Sequence, residues 1–177
     1  MKKTLITILA TVLVCCFAVG GTLAWLMDKT DTITNTFTVG DINITLTESE
    51  NLDLKIVPGT TITKDPKVTV KGGSEDCWLF VKVEETNWNT ALTYELDGWT
   101  ELQSGVYYRS VAASNTDQSF AVLKDNTVNI ANTLTKTDLE AMATNQPQLT
   151  ITAYAVQSEN VDNVADAWNI AIDAANP

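Results

Sequence analysis

The sequence predicts a mainly β protein, an antiparallel β-sandwich with one or two short helices, one of them at the C-terminus. Three observations carry this expectation. Apolar and polar residues alternate with a period of two over many short stretches, turn dipeptides recur between those stretches, and helical spacing is confined to a short run before Pro147 and to the end of the chain. Hydrophobic residues make up 45% of the 177 positions, and the polar remainder is rich in Thr, Asn and Asp, a mixture that suits strands joined by turns.

The chain opens with an export segment. Lys2 and Lys3 form a positive start, and Leu5 to Ala18 is an unbroken apolar or small-residue run of signal-peptide length. Small or tolerated residues at Thr22 and Ala24 then place a cut between Ala24 and Trp25, giving a signal peptide over 1–24 and a mature domain over 25–177. Two alternatives remain open: the uncharged stretch Leu5 to Met27 is long enough to serve as a retained membrane anchor, and Cys15 or Cys16 offers a lipidation point, although Leu13 and Val14 are bulky where such signals carry small residues. Membrane contact is expected only through an uncleaved leader.

Within the mature chain, Trp25 to Val39 reads as an extended segment, with Trp25, Leu26, Ile33, Phe37 and Val39 as apolar anchors and no proline or glycine to interrupt it, either an arm that adds to another subunit's sheet edge or the first strand of the chain's own sheet. Gly40-Asp41 shifts the phase, and Ile42, Ile44 and Leu46 then alternate with Asn43, Thr45 and Thr47 as a half-buried strand. Leu52 to Val57 is a further strand candidate, closed by the turn dipeptide Pro58-Gly59. Ile62, Val68 and Val70 alternate around Pro66, which suggests an interrupted edge strand because proline lacks a ladder donor. Cys77, Leu79, Val81 and Val83 form the most apolar inward face, with Trp78, Phe80, Lys82 and Glu84 on the other side. Short strands follow at Leu92 to Leu96, Val106 to Val111, Phe120 to Leu123 and Thr127 to Ala131, and the 97–105 interval resembles a hairpin. Thr137 with Glu140 suggests a capping box opening a short helix. Leu149, Ile151, Ala153 and Ala155 alternate in a strand long enough to be central. Val161, Val164, Trp168, Ala171 and Ile172 recur at helical spacing, with Asn160 or Asp162 as the cap.

The charge balance excludes whole classes of function. With 11 basic and 22 acidic residues the chain carries a formal charge of -11, which argues against nucleic acid and anionic lipid surfaces as partners. Loss of Lys2 and Lys3 with the leader, and of no acid, takes it to -13. No histidine is present, so the commonest general base, the commonest zinc ligand and every Ser-His or Cys-His pair are missing. No cofactor, metal site or catalytic residue is expected. Cys77 would be the one cysteine left after processing, and in a strand pattern it reads as a small core residue. Of the five tryptophans, Trp78, Trp88 and Trp99 are candidate surface contacts, since exposed indoles anchor interfaces and stack on sugars, with core packing as the more frequent role.

The stretch Gly20-Gly21-Thr22-Leu23-Ala24-Trp25-Leu26-Met27-Asp28, followed by Asn35-Thr36-Phe37-Thr38-Val39-Gly40, resembles the TasA/camelysin family of Gram-positive bacteria in order and spacing. Asp76 to Val83, Leu149 to Gln157 and Ala165 to Trp168 are similar to that family's strands and terminal helix. The resemblance implies processing by a SipW-type signal peptidase, a jelly-roll-like sandwich, and a place in the biofilm matrix or on the cell surface. It also implies self-association into fibres in which one subunit's N-terminal strand, here 25–39, completes its neighbour's sheet. A monomeric adhesion or ligand-binding domain is the alternative. Some relatives are labelled metallo-endopeptidases, and this chain departs from that label in having neither an H-E-x-x-H helix nor any histidine.

Overall fold

Ten strands alternate with turns in a computed structural model that describes residues 41–49 and 55–175. In order they are β1 (Ile44–Thr47), β2 (Thr61–Thr63), β3 (Lys67–Val70), β4 (Cys77–Thr86), β5 (Leu92–Thr93), β6 (Thr100–Gln103), β7 (Val106–Val111), β8 (Gln118–Ala121), β9 (Thr127–Ile130) and β10 (Gln148–Gln157). Two helices join them, α1 (Lys136–Thr144) between β9 and β10, and α2 (Val164–Ala175) after β10. The chain divides into two units, Met1–Thr38 and Val39–Pro177, and every described residue lies in the second. The predicted leader, the cleavage site at Ala24 and Trp25, and the arm with Leu26, Ile33, Phe37 and Val39 lie outside the described residues, as do residues 52–54 of the strand expected at Leu52 to Val57, whose other half, residues 55–57, is not in a strand.

The strands form one four-stranded sheet, in the order β10-β4-β7-β6, and two three-stranded sheets, β1-β3-β8 and β2-β9-β5, with every pairing antiparallel. The two smaller sheets are one bent layer. Between the pairs Thr63↔Thr127 and Lys67↔Ala121, residues 64–66 face the longer segment 122–126, and the surplus is absorbed by a tight turn in which Asp125 and Asn126 take φ of 55° and 53°. Pro66 sits in this gap, where no ladder donor is required, and its carbonyl accepts from Val122 N at 2.9 Å. The interruption at Pro66 was therefore legible, but β3 is a central strand between β1 and β8 and not an edge.

The alternation along β4 explains both faces of the four-stranded sheet. Cys77, Leu79 and Val81 point into the main core with Val111 from β7, and meet Ile62, Val68, Val70, Val122, Leu123, Val128 and Ile130 from the bent layer. On the opposite face Phe80 and Val106 are covered by Ala167, Trp168 and Ala171 of α2. Phe80 and Tyr154 meet the Trp168 ring with centroids 5.4 and 5.3 Å away. A sheet covered on both sides must be apolar on both sides, which is why this strand carries Trp78 and Phe80 between its inward residues.

Several local expectations are corrected. The capping box of α1 is Thr135 with Asp138: the Thr135 hydroxyl accepts from Asp138 N, and the Asp138 carboxylate accepts from Thr135 N at 2.8 Å. The α2 cap is Asn163, whose Oδ1 accepts from Ala165 N and Asp166 N, both at 3.0 Å. The hairpin expected over 97–105 is formed by β6 and β7 around Ser104-Gly105, Gly105 having a φ of +75°. The strand expected at Leu92 to Leu96 shortens to β5 plus one isolated bridge, Leu96↔Leu123, and the one expected at Phe120 to Leu123 begins two residues earlier as β8. Most consequentially, β10 is not central: all ten of its residues pair with β4, and among the described residues it has no second partner.

Candidate assembly flank

The long edge of β10 dominates one flank of the sandwich. Its inward residues Leu149, Ile151, Ala153 and Ala155 stand opposite Glu85, Val83, Val81 and Leu79 of β4, and all four remain half-buried. Across the flank lies β1, the edge of the bent layer, close beside β10. It presents Ile42, Ile44 and Leu46 with the same inward parity, and Leu46 is 39% exposed although its partner Val68 is fully buried. The two strand edges thus lie side by side, each with partly buried apolar residues packed on the main core. An unpaired strand edge beside half-exposed apolar side chains is a template for a further strand.

Two of the other edges are less suited to such pairing. β5 has two residues, and β6 is broken by a bulge between Glu101 and Gln103, devices that blunt an edge. β1 itself is held at its end by two polar clasps. Lys64 Nζ lies 2.9 Å from Glu48 Oε1, and Asp65 accepts from Ser49 N and Ser49 Oγ at 3.0 and 2.6 Å. Those two bonds hold the Asp65 carboxyl below its ordinary range.

The three candidate tryptophans are all half-buried and serve different packing roles. Trp88 donates Nε1–H to Leu92 O at 3.0 Å and meets Tyr94 edge-on. Trp99 donates to Ala121 O at 2.8 Å and stacks on Arg109. Trp78 lies on the outer face against Tyr108, and its Nε1 finds no hydrogen-bond partner among the described residues. The structure brings the three together nowhere as one patch. What sequence reasoning missed was the flank itself, because an edge strand and a central strand with the same alternation look alike; the half-size residues Ala153 and Ala155 were the available signal.

The donor groups do not fit a catalytic metal. The whole chain has no histidine, and among the described residues no group of three or more Cys, Asp or Glu is placed to hold an ion. Several carboxylates have structural partners: Glu48 with Lys64, Asp117 with Lys71, Glu84 with Lys82, Glu95 with Lys124, Asp138 at the α1 cap and Asp76 on Ala113 N. Cys77 is fully buried, and burial followed by the nearby Asp76 pushes its thiol up to about 11.

No curated protein and no solved structure matches the chain. The family model described as camelysin metallo-endopeptidase matches residues 1–91, which include β1 to β4 and the clasps that hold β1. The chain belongs to the camelysin family, a family of secreted type.

Proposed function

We propose that this chain is a non-enzymatic structural subunit of the Gram-positive cell surface or biofilm matrix, exported behind a leader cut at Ala24 by a SipW-type signal peptidase. Subunits join when the arm from Trp25 to Val39 of one copy adds as a strand to the β1/β10 flank of the next. The observation that supports this reading most directly is the ten-residue edge of β10 beside the half-exposed inward residues of β1. Ladder bonds to that edge supply affinity, and alternate side chains such as Ile33, Phe37 and Val39 pack on the apolar residues of the flank.

The test is electron microscopy of the exported protein against two variants, one lacking residues 25–34 and one carrying Ala153→Lys, which puts a charge on the apolar flank without removing the arm. Both are expected to remain folded by circular dichroism and to form no filaments. Filaments undiminished in both variants would overturn the proposal. The family's description favours a second reading, a metal-dependent peptidase. Casein cleavage by the purified chain, abolished by a chelator, would establish it against the donor set described above.

A further inference from the structure

The end of the sandwich nearest Leu149 contains a cavity of about 270 Å³. Its innermost lining is the core itself, Ile62, Leu92 and Val128, all buried. Trp88 and Leu149 form walls, and because the Trp88 Nε1–H is tied to Leu92 O the indole contributes an apolar surface and no free donor. Apart from Gln148 the lining is apolar with one further exception, Lys64. This lysine follows Ile62 with the same inward parity, its backbone N continuing the ladder to Asn126 O at 2.8 Å, so its side chain is directed to the inner side of the layer and is only 16% exposed. A lysine at an inward position costs desolvation unless its charge is met. Glu48 meets it from one side, at 2.9 and 3.1 Å, but an ammonium has three donors.

We propose that this cavity binds an organic monocarboxylate, with an aromatic or acyl body against Ile62, Leu92, Val128 and Trp88 and its carboxylate on the Lys64 ammonium. Size and charge both select this class. A cavity of roughly 150 Å³ lined by aliphatic residues admits benzene, so the larger volume here suits a fused bicyclic ring or a medium-length acyl chain. The one charged group in the lining is a cation, in a chain whose formal charge is -11. A ligand acid takes a Lys64 donor left by Glu48, or displaces that residue, whose partly exposed carboxylate returns to water. The site shares Leu149 with the β10 flank and the Lys64–Glu48 pair with the clasp on β1, and it requires no metal.

Isothermal titration of the full chain, as recovered from expressing cells, with naphthoate and with naphthalenemethanol separates charge from apolar burial. Naphthoate is expected to bind about tenfold more tightly than the neutral alcohol, the scale of one charge-assisted hydrogen bond. Lys64→Met should remove that difference, and Glu48→Gln, which frees the ammonium, should tighten naphthoate severalfold while leaving the alcohol unchanged. Glu48→Gln keeps the test decisive even if Lys64→Met fails to fold. Equal affinity for the two probes, no binding of naphthoate at millimolar concentration, or indifference of naphthoate to Glu48→Gln would each overturn the assignment.

Discussion

Arg109, the chain's single arginine, shows how one side chain can tie two layers together. It leaves β7 with inward parity, and its guanidinium lies 4.5 Å from the Trp99 ring and 4.5 Å from the Phe120 ring of β8. The same group donates to Asp97 O and Gly98 O at 2.8 and 2.7 Å. Gly98 has a φ of +68°, and a Cβ there would stand 3.0 Å from the guanidinium, so glycine is favoured at this turn on both conformational and steric grounds. A lysine cannot stack and donate in a fork at once. Arg109→Lys is therefore expected to lower unfolding free energy by about 2 kcal/mol in urea titrations, from the lost charged hydrogen bond and stacking. Cys77 sets a second expectation. Its folded thiol, pushed up to about 11 from 9.0, resists ionisation where the unfolded thiol ionises freely. Its contribution is thus intact below pH 9.0 and lost as the pH rises toward 11. Labelling with a thiol reagent at pH 8 should proceed only on unfolding, and immediate labelling of the native protein would contradict the burial.

At the scale of elements, α1 depends on its capping box more than on its burial, since Met142 is its one buried residue. Thr135→Ala should cost about 1 kcal/mol, read as a lower midpoint in thermal melts. The Thr135 bonds also hold the Asp138 carboxyl below 3.8, so the cap's benefit is present above that pH and disappears as acid protonates the group. These elements mark where the sequence was readable. β4 announced its two faces through strict alternation of Cys77, Leu79 and Val81 with Trp78 and Phe80, and α2 announced its buried stripe through the spacing of Val164, Trp168 and Ala171. The caps were misread by a few positions because Thr and Asn recur through both loops, and several of them satisfy the same local pattern before geometry selects one. The edge position of β10 was hidden for a different reason: pairing partners are a property of chain topology, and the period of a strand records which face is buried without recording how many neighbours it has.

At the scale of the whole molecule, the proposed association would have to overcome like charge. Removal of the proposed leader with its two lysines would leave the subunit at -13, and among the described residues most lysines are held in internal pairs such as Lys71 with Asp117 and Lys124 with Glu95. Two copies approaching along the β1/β10 flank therefore repel one another over distances comparable to the Debye length, about 10 Å at 0.1 M salt and about 3 Å at 1 M. Strand addition gains its free energy at contact, from ladder bonds and apolar burial that salt does not screen. Raising ionic strength should consequently speed filament growth and leave the finished filament intact, the opposite of an assembly held by interface ion pairs. Light scattering at fixed subunit concentration across a salt series would show a shortening lag; a lag that lengthens with salt would mean that complementary charges, and not the apolar residues of the β1/β10 flank, bring the subunits together.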